Sequence, residues 1–230
     1  MPRSPQEAQP LAGLFTPLRM LWNGALDLVF PPSCLHCGRV DTSWCAHCMD
    51  SLLQHPLQPL ARPIDGLDAT LATAWHEGIA QSAVQALKYA NQRHLARALA
   101  QRMADVLIHT KLAIDTLVPV PLHTSRLKNR GYNQAKELAI ALAELAGYPL
   151  TSDAIVRHRD TRQQVGLNQR ERLANMQDAF TAQAHHVQGK SLLLIDDVCT
   201  TGATLVGCAN AAREAGATRV YALTVTFAMG

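Results

Sequence analysis

The sequence predicts an α/β protein: a parallel sheet flanked by helices, preceded by an N-terminal helix and a small metal-held unit. Three observations carry this expectation. From Ala69 onward, short aliphatic runs alternate with helix-length segments, the pattern of βαβ units. Four cysteines crowd together as Cys34-x2-Cys37-x7-Cys45-x2-Cys48. Hydrophobic residues are 48% of the 230 and charged residues 17%, which supports a packed core and excludes a disordered chain.

Residues 1–10 are polar and proline-rich and read as a tail. Leu11, Leu14, Phe15, Leu18, Trp22, Ala25, Leu26 and Val29 then fall on one helical stripe, stopped by Pro31-Pro32. A helix packed on its own protein is favoured over a membrane-surface or partner helix. Pro17, Arg19, Asn23 and Asp27 interrupt the stretch, so it fits neither a signal peptide nor a membrane span. A cytoplasmic location is expected. The cysteine cluster follows, and then a segment with Pro56, Pro59 and Pro63 that reads as a linker. The division expected is 1–60 for helix and cysteine unit and 61–230 for the α/β domain.

Within the second part, Ala69–Trp75 reads as a strand, and Ile79–Asn91 and Leu95–Ile108 as helices. Thr116–Val120 is a strand ended by prolines. Asn133–Ala146 is a helix with Gly147 as its cap. Leu192–Ile195, aliphatic throughout, suits a strand buried on both faces. Ala203–Ala215 is a helix capped by Gly216, and Arg219–Phe227 a last strand.

Each Cys-x-x-Cys can fold as a knuckle aiming two thiolates at one point, and two knuckles complete a closed tetrahedral zinc site of structural type. Leu35, Val40, Trp44 and Met49 are too few for a core there, so metal would supply folding energy on the order of 10 kcal/mol. Two disulfides are the rival pairing. Cys199 and Cys208 read as small buried residues, and His36 and His47 as exposed bystanders.

The net charge is +3, too small for a bulk nucleic-acid or membrane binder. It is unevenly spread: residues 119–172 hold nine Lys/Arg against five Asp/Glu. Leu192-Leu193-Leu194-Ile195-Asp196-Asp197-Val198-Cys199-Thr200-Thr201-Gly202-Ala203-Thr204 is the most informative run. A buried strand brings two carboxylates to its end, and a polar loop then opens a helix. That is where parallel α/β sheets bind ligands. The loop can offer backbone N–H groups, hydroxyls and helix dipole to a phosphate, with Gly202 permitting close approach. Asp196 and Asp197 can accept from sugar hydroxyls or act through Mg²⁺. A phosphorylated sugar is the ligand this combination suits. Gly189-Lys190-Ser191 is not a P-loop, since it lacks the first glycine and precedes a strand.

This run resembles the phosphoribosyl-pyrophosphate (PRPP) motif of type I phosphoribosyltransferases. Together with the cysteine pairs, Leu87-Lys88-Tyr89, Val118-Pro119-Val120-Pro121-Leu122, Arg130-Gly131-Tyr132-Asn133-Gln134, Gln164, Gly166-Leu167, Arg170, Arg172, Asn175 and Ala179-Phe180, it resembles the ComF family of competence and DNA-utilisation proteins. The resemblance covers about residues 22–230. It implies a zinc ribbon joined to a type I phosphoribosyltransferase-like core that binds PRPP with Mg²⁺. On it, Asp196 and Asp197 face the ribose, Thr200, Thr201, Gly202, Ala203 and Thr204 hold the 5-phosphate, and Val120-Pro121 stand in the pyrophosphate loop. Arg126, Lys128 and Arg130 follow that loop and can clamp pyrophosphate. Arg170 belongs to a long irregular stretch resembling a mobile active-site loop, and Lys88 is an intermediate candidate. Arg157 and Arg159 read as solvated charges. Pentosyl transfer with release of pyrophosphate is the activity implied, with no acceptor assigned. The rival is a non-catalytic factor that handles single-stranded DNA, or docks a helicase-type competence protein, with PRPP as regulator. Only Tyr132 and Tyr148 lie in the basic segment, few for a base-stacking platform.

Overall fold

A computed structural model describes residues 31–158 and 179–229. The stripe at Leu11–Val29 and the arginines Arg159, Arg162, Arg170 and Arg172 lie outside them.

A five-stranded sheet organises the chain. Its strands are β1 (Leu60–Ala61), β2 (Ala69–Trp75), β3 (Thr116–Pro119), β6 (Ser191–Cys199) and β7 (Arg219–Phe227), in the order β1-β2-β7-β6-β3. The last four run parallel, and β1 pairs antiparallel with β2. A short antiparallel pair, β4 (Ile155–Arg157) and β5 (Phe180–Ala182), stands apart. The helices are α1 (Ala46–Gln54), α2 (Gly78–Tyr89), α3 (Leu95–Ile108), α4 (Thr124–Arg130), α5 (Gln134–Ala146), α6 (Ala184–Val187) and α7 (Ala203–Glu214).

Strand β6 shows why an unbroken aliphatic run is needed. Leu193 and Ile195 enter the core under α2, α3 and α5, while Leu192 and Leu194 enter the other, under α7 and the β4–β5 pair. With period two and helices on both faces, every position must be apolar. The four residues Leu192–Ile195 are all fully buried. Helix α5 is set by its ends: Asn133 Oδ1 accepts from the N–H of Ala135 at 3.0 Å, and Gly147 closes it at φ +73°.

Three segments differ from the sequence expectation. The run read as a cysteine knuckle and linker contains α1, whose Cys48 and Leu52 face inward. The proline segment is not a free linker: β1 is zipped to β2, with Leu60 opposite Ala72. The basic stretch after β3 is a helix, α4; it buries no residue, so no apolar stripe announced it.

Helix α1 is tied down by Arg102 of α3, which is 4% exposed. Its guanidinium donates to the carbonyls of Leu52 (3.1 Å) in the last turn of the helix, His55 (2.7 Å) at its cap and Pro56 (3.2 Å) just beyond. Burial pulls its pKa down, and Asp105 partly offsets this. Arg102→Ala leaves these carbonyls without their donor, and an expected loss of about 2–3 kcal/mol follows. Denaturant melts check this.

Candidate functional site

The C-terminal ends of β2, β7, β6 and β3 lie side by side, and most of the candidate residues gather there. Strand β6 continues three residues beyond Ile195–Asp196, pairing Asp196 with Thr224 and Val198 with Thr226. The two carboxylates therefore sit inside the strand rather than after it, and alternation turns them to opposite faces. Asp197, 3% exposed, faces α2; Lys88 Nζ meets its Oδ1 at 2.9 Å. Its Oδ2 is buried without a hydrogen-bond partner. An acceptor left open this way is costly unless a ligand donor or cation meets it.

Asp196 is half-buried. Burial first, then the negative charge of Asp197, pushes its pKa up to about 7. The N–H of Asp197 donates to Asp196 Oδ1 at 2.9 Å and pulls the other way, as do the charges of Lys88 and Arg157. Arg157 on β4 is 8% exposed and stacks over Phe180, at 5.4 Å from the ring centre. The expectation of a solvated charge there is corrected: the side chain is buried against Phe180, its partner on the neighbouring strand.

The loop after β6 leaves Thr200 and Thr201 exposed and buries Gly202, which caps α7. Gly202 has φ +81°, and a Cβ would come 2.7 Å from Cδ1 of Ile64. Glycine is therefore required by backbone conformation and by packing from behind, besides any approach of a phosphate in front. Thr201 Oγ1 accepts from the N–H of Ala203 at 3.4 Å; Ala203 and Thr204 begin the helix.

Val120 follows β3 and is anchored on both sides. Its N–H donates to Ile195 O at 2.9 Å, and its carbonyl accepts from Asn133 Nδ2 at 2.9 Å. Pro121 is half-buried beside it. Next to this turn a cavity of about 300 Å³ is lined by Lys88, Tyr89, Asn91, Arg126, Asn129 and Arg130, with Tyr132. Three cations and no carboxylate line it, so it suits an anion. Arg130 reaches Gln134 and lies over the Tyr89 ring, 5.3 Å from its centre. The buried Tyr132 donates to the carbonyl of Leu87 and carries Arg93 over its face at 4.4 Å. Lys88 joins this cavity to Asp197; Asp196 and the loop Thr200–Thr204 do not line it.

Two residues at the site carried no sequence signal. His76, just past β2, shares a 2.8 Å hydrogen bond with Thr226 Oγ1. Burial, and then Lys88, lower its pKa, which keeps the ring neutral at pH 7. Arg62, in the segment read as a linker, contacts the loop Cys199–Thr200.

The cysteine cluster is compact. Its four Sγ atoms lie within 4.8 Å of one another, and Cys37 and Cys45 are 3.7 Å apart. Four Zn–S bonds of about 2.3 Å in a tetrahedron put sulfurs about 3.8 Å apart. All four thiols are free, so the disulfide pairing is not adopted. Burial resists ionisation of Cys34, but N–H groups of Cys37, Cys45 and His36 outweigh it and hold its pKa at about 6. The Cys48 thiol is pushed the other way, up, by burial and then by the neighbouring Cys45, Cys37 and Cys34. It is the geometry of the four sulfurs that suits a zinc ion. Cys199 and Cys208 are buried, and burial pushes both thiols up. His36 is exposed yet not idle: Nδ1 shares a 3.2 Å hydrogen bond with Ser82 on α2.

Among the described residues, no helix is long and apolar enough to cross a membrane. The family model "Phosphoribosyl transferase domain" matches residues 91–229. Competence protein F of Haemophilus influenzae is 29% identical over 192 residues, covering 80% of this chain and 80% of that protein. The DNA utilization protein YhgH of Salmonella typhi is 33% identical over 142 residues, 60% of this chain and 62% of its own length. Among solved structures, the B. subtilis glutamine PRPP amidotransferase complexed with ADP and GMP is 20% identical with a TM-score of 0.43, covering 61% of this chain and 30% of that one. The family model spans more than half of the chain, which therefore belongs to the phosphoribosyl transferase domain family, and relatives similar to it are named for competence and DNA utilization.

Proposed function

We propose that this protein binds PRPP with Mg²⁺ in the cytoplasm and serves competence or the use of external DNA. One observation carries the reading: the buried, partner-free Oδ2 of Asp197, next to an acid-free cationic cavity and one strand-to-helix turn from the exposed Thr200 and Thr201. An open carboxylate suits ribose hydroxyls, the loop and helix start suit a 5-phosphate, and the cations suit pyrophosphate. Asp196, Asp197, Arg130 and Arg170 are the residues assigned to the reacting centre. Thr200, Thr201, Gly202, Ala203, Thr204, Val120, Pro121, Lys88 and Arg126 are assigned to binding. Mg²⁺, when bound with PRPP, stabilises the departing pyrophosphate. Arg126 and Arg130 neutralise the same group from the protein side, and the carboxylates of the half-buried Asp196 and the buried Asp197 accept from the ribose hydroxyls. Zinc at Cys34, Cys37, Cys45 and Cys48 is structural. The chain divides near residue 60 into a cysteine unit and the transferase-like domain.

The test is calorimetric titration of Mg²⁺-PRPP into reduced, zinc-loaded protein from about pH 6 to about pH 8. Affinity is expected to rise through about pH 7, as Asp196 loses its proton and becomes an acceptor. Asp196→Asn flattens that dependence. Ligand-free stability runs the opposite way: the folded state holds this proton more tightly than the unfolded chain, so the contribution of Asp196 falls between pH 3.8 and about 7. Absence of binding at every pH overturns the proposal. Salt-dependent binding of single-stranded DNA, unaffected by PRPP, would favour the non-catalytic reading instead.

A further inference from the structure

The segment that leaves the cysteine unit ends on the loop assigned to the 5-phosphate. Residues 58–62 are zipped to β2: Gln58 N–H donates to Thr73 O at 3.3 Å, β1 pairs with Leu71 and Ala72, and Arg62 N–H donates to Thr70 O at 3.1 Å. The Arg62 side chain then crosses the strand ends. It donates to Thr200 O, to Cys199 Sγ at 3.0 Å and O at 3.5 Å, and to Ala228 O at 3.4 Å. Its guanidinium carbon lies over Phe227, 4.7 Å from the ring centre. Two residues on, Ile64 fills the space behind Gly202 so closely that no Cβ fits there.

We propose that Arg62 and Ile64 are positioning residues that hold the loop Thr200–Thr204 in its anion-receiving shape; this rests on the PRPP reading above. Several facts converge on it. Thr200 and Thr201 are exposed, and the only side-chain bond within their turn is the long one from Ala203 N–H to Thr201 Oγ1. A polar loop with so little internal support cannot keep its N–H groups convergent, because each free residue has conformational entropy to regain. Arg62 supplies the missing support. A planar fork can hold several carbonyls in one geometry, and its stacking on Phe227 orients it. By tying up carbonyl oxygens, it also turns the negative ends of those peptides away from an incoming phosphate. Its charge lies beside the loop and adds attraction for an anion there. Ile64 fixes the far side by pressing on the one backbone position that has φ +81°.

The experiment uses the full-length, zinc-loaded protein and two readouts. The first is calorimetric affinity for Mg²⁺-PRPP and for ribose 5-phosphate, a probe that engages the loop without pyrophosphate. Arg62→Ala is expected to weaken both by about tenfold or more, and Arg62→Lys, which keeps charge but loses the fork, to recover part of the loss. The second is amide hydrogen exchange of the peptide spanning residues 200–204 without ligand, expected to speed up in Arg62→Ala and to slow again in Arg62→Lys. If Arg62→Ala does not fold, Ile64→Ala tests the same support, with an expected several-fold loss and faster exchange at that peptide. Wild-type affinity together with unchanged exchange overturns the proposal. If wild type binds neither ligand, the PRPP reading falls; exchange then decides the role of Arg62 by itself, with a faster loop in Arg62→Ala upholding it and an unchanged loop refuting it.

Discussion

Asp197→Asn is expected to weaken Mg²⁺-PRPP binding about 100-fold, or ~2–3 kcal/mol, the worth of a hydrogen bond to a charged group. Asp197 is 3% exposed, one of its oxygens is held by Lys88 at 2.9 Å, and the other waits without a partner. Asparagine keeps the shape but gives up the charge and half of the acceptor capacity. The partner substitution should behave differently. Lys88→Met strands a buried carboxylate, so it is expected to lower stability by about 3 kcal/mol, more than Asp197→Asn, whose Lys88 is 19% exposed and can turn into the adjoining cavity. Denaturant melts and calorimetry on the two variants separate the effects. Wild-type affinity in Asp197→Asn would reduce Asp197 to a counter-ion of Lys88.

Removing metal is the second large expectation. Cys34, Cys45 and Cys48 are 3%, 4% and 1% exposed, and Trp44 and Leu52 join the core shared with α2 and α3. Chelation, or Cys48→Ser, would release those groups to water and leave thiols that nothing gathers. Metal contributes on the order of 10 kcal/mol to such a unit. Part of that is regained by relaxation, so the melting temperature is expected to fall by on the order of 10 °C. Reduced protein melted with and without chelator, with zinc measured by elemental analysis, checks this. Purified reduced protein without zinc and with an unchanged melt would refute a metal-held unit.

Periodic elements were legible in the sequence. Ala69–Trp75, Leu95–Ile108 and Arg219–Phe227 fall on the bounds read from apolar pattern, because burial on one or both faces wrote that pattern. Position 133 was legible as the start of a helix and Gly147, through local capping chemistry, as its end; the capping bond of Asn133 is seen only in the structure. Helix α4 was hidden, since a surface helix that buries nothing has no stripe to show. The end of β6 was misjudged because Asp196 and Asp197 look like loop residues; backbone pairing with β7, which ignores side-chain type, carries the strand past them. The Asp-Asp and Thr-Thr-Gly parts of the site stood out because chemistry confined them to thirteen consecutive residues. Arg62, His76 and Arg157 come from distant segments and are brought in by tertiary pairing alone. Arginine at the surface and arginine buried against a phenylalanine of the neighbouring strand read alike in sequence.

Both borders of the sheet are closed, and this governs how copies of the chain can meet. On one side β1 is only two residues long and lies between Pro59 and Pro63, neither of which can donate to a further strand. On the other, β3 is covered by the backbone of residues 149–151: Leu117 N–H donates to Pro149 O at 2.8 Å, and Thr151 N–H donates to Leu117 O at 2.9 Å. With neither border offering a free ladder, strand-by-strand polymerisation has no template. Self-association through this sheet is left to the helices that cover its faces.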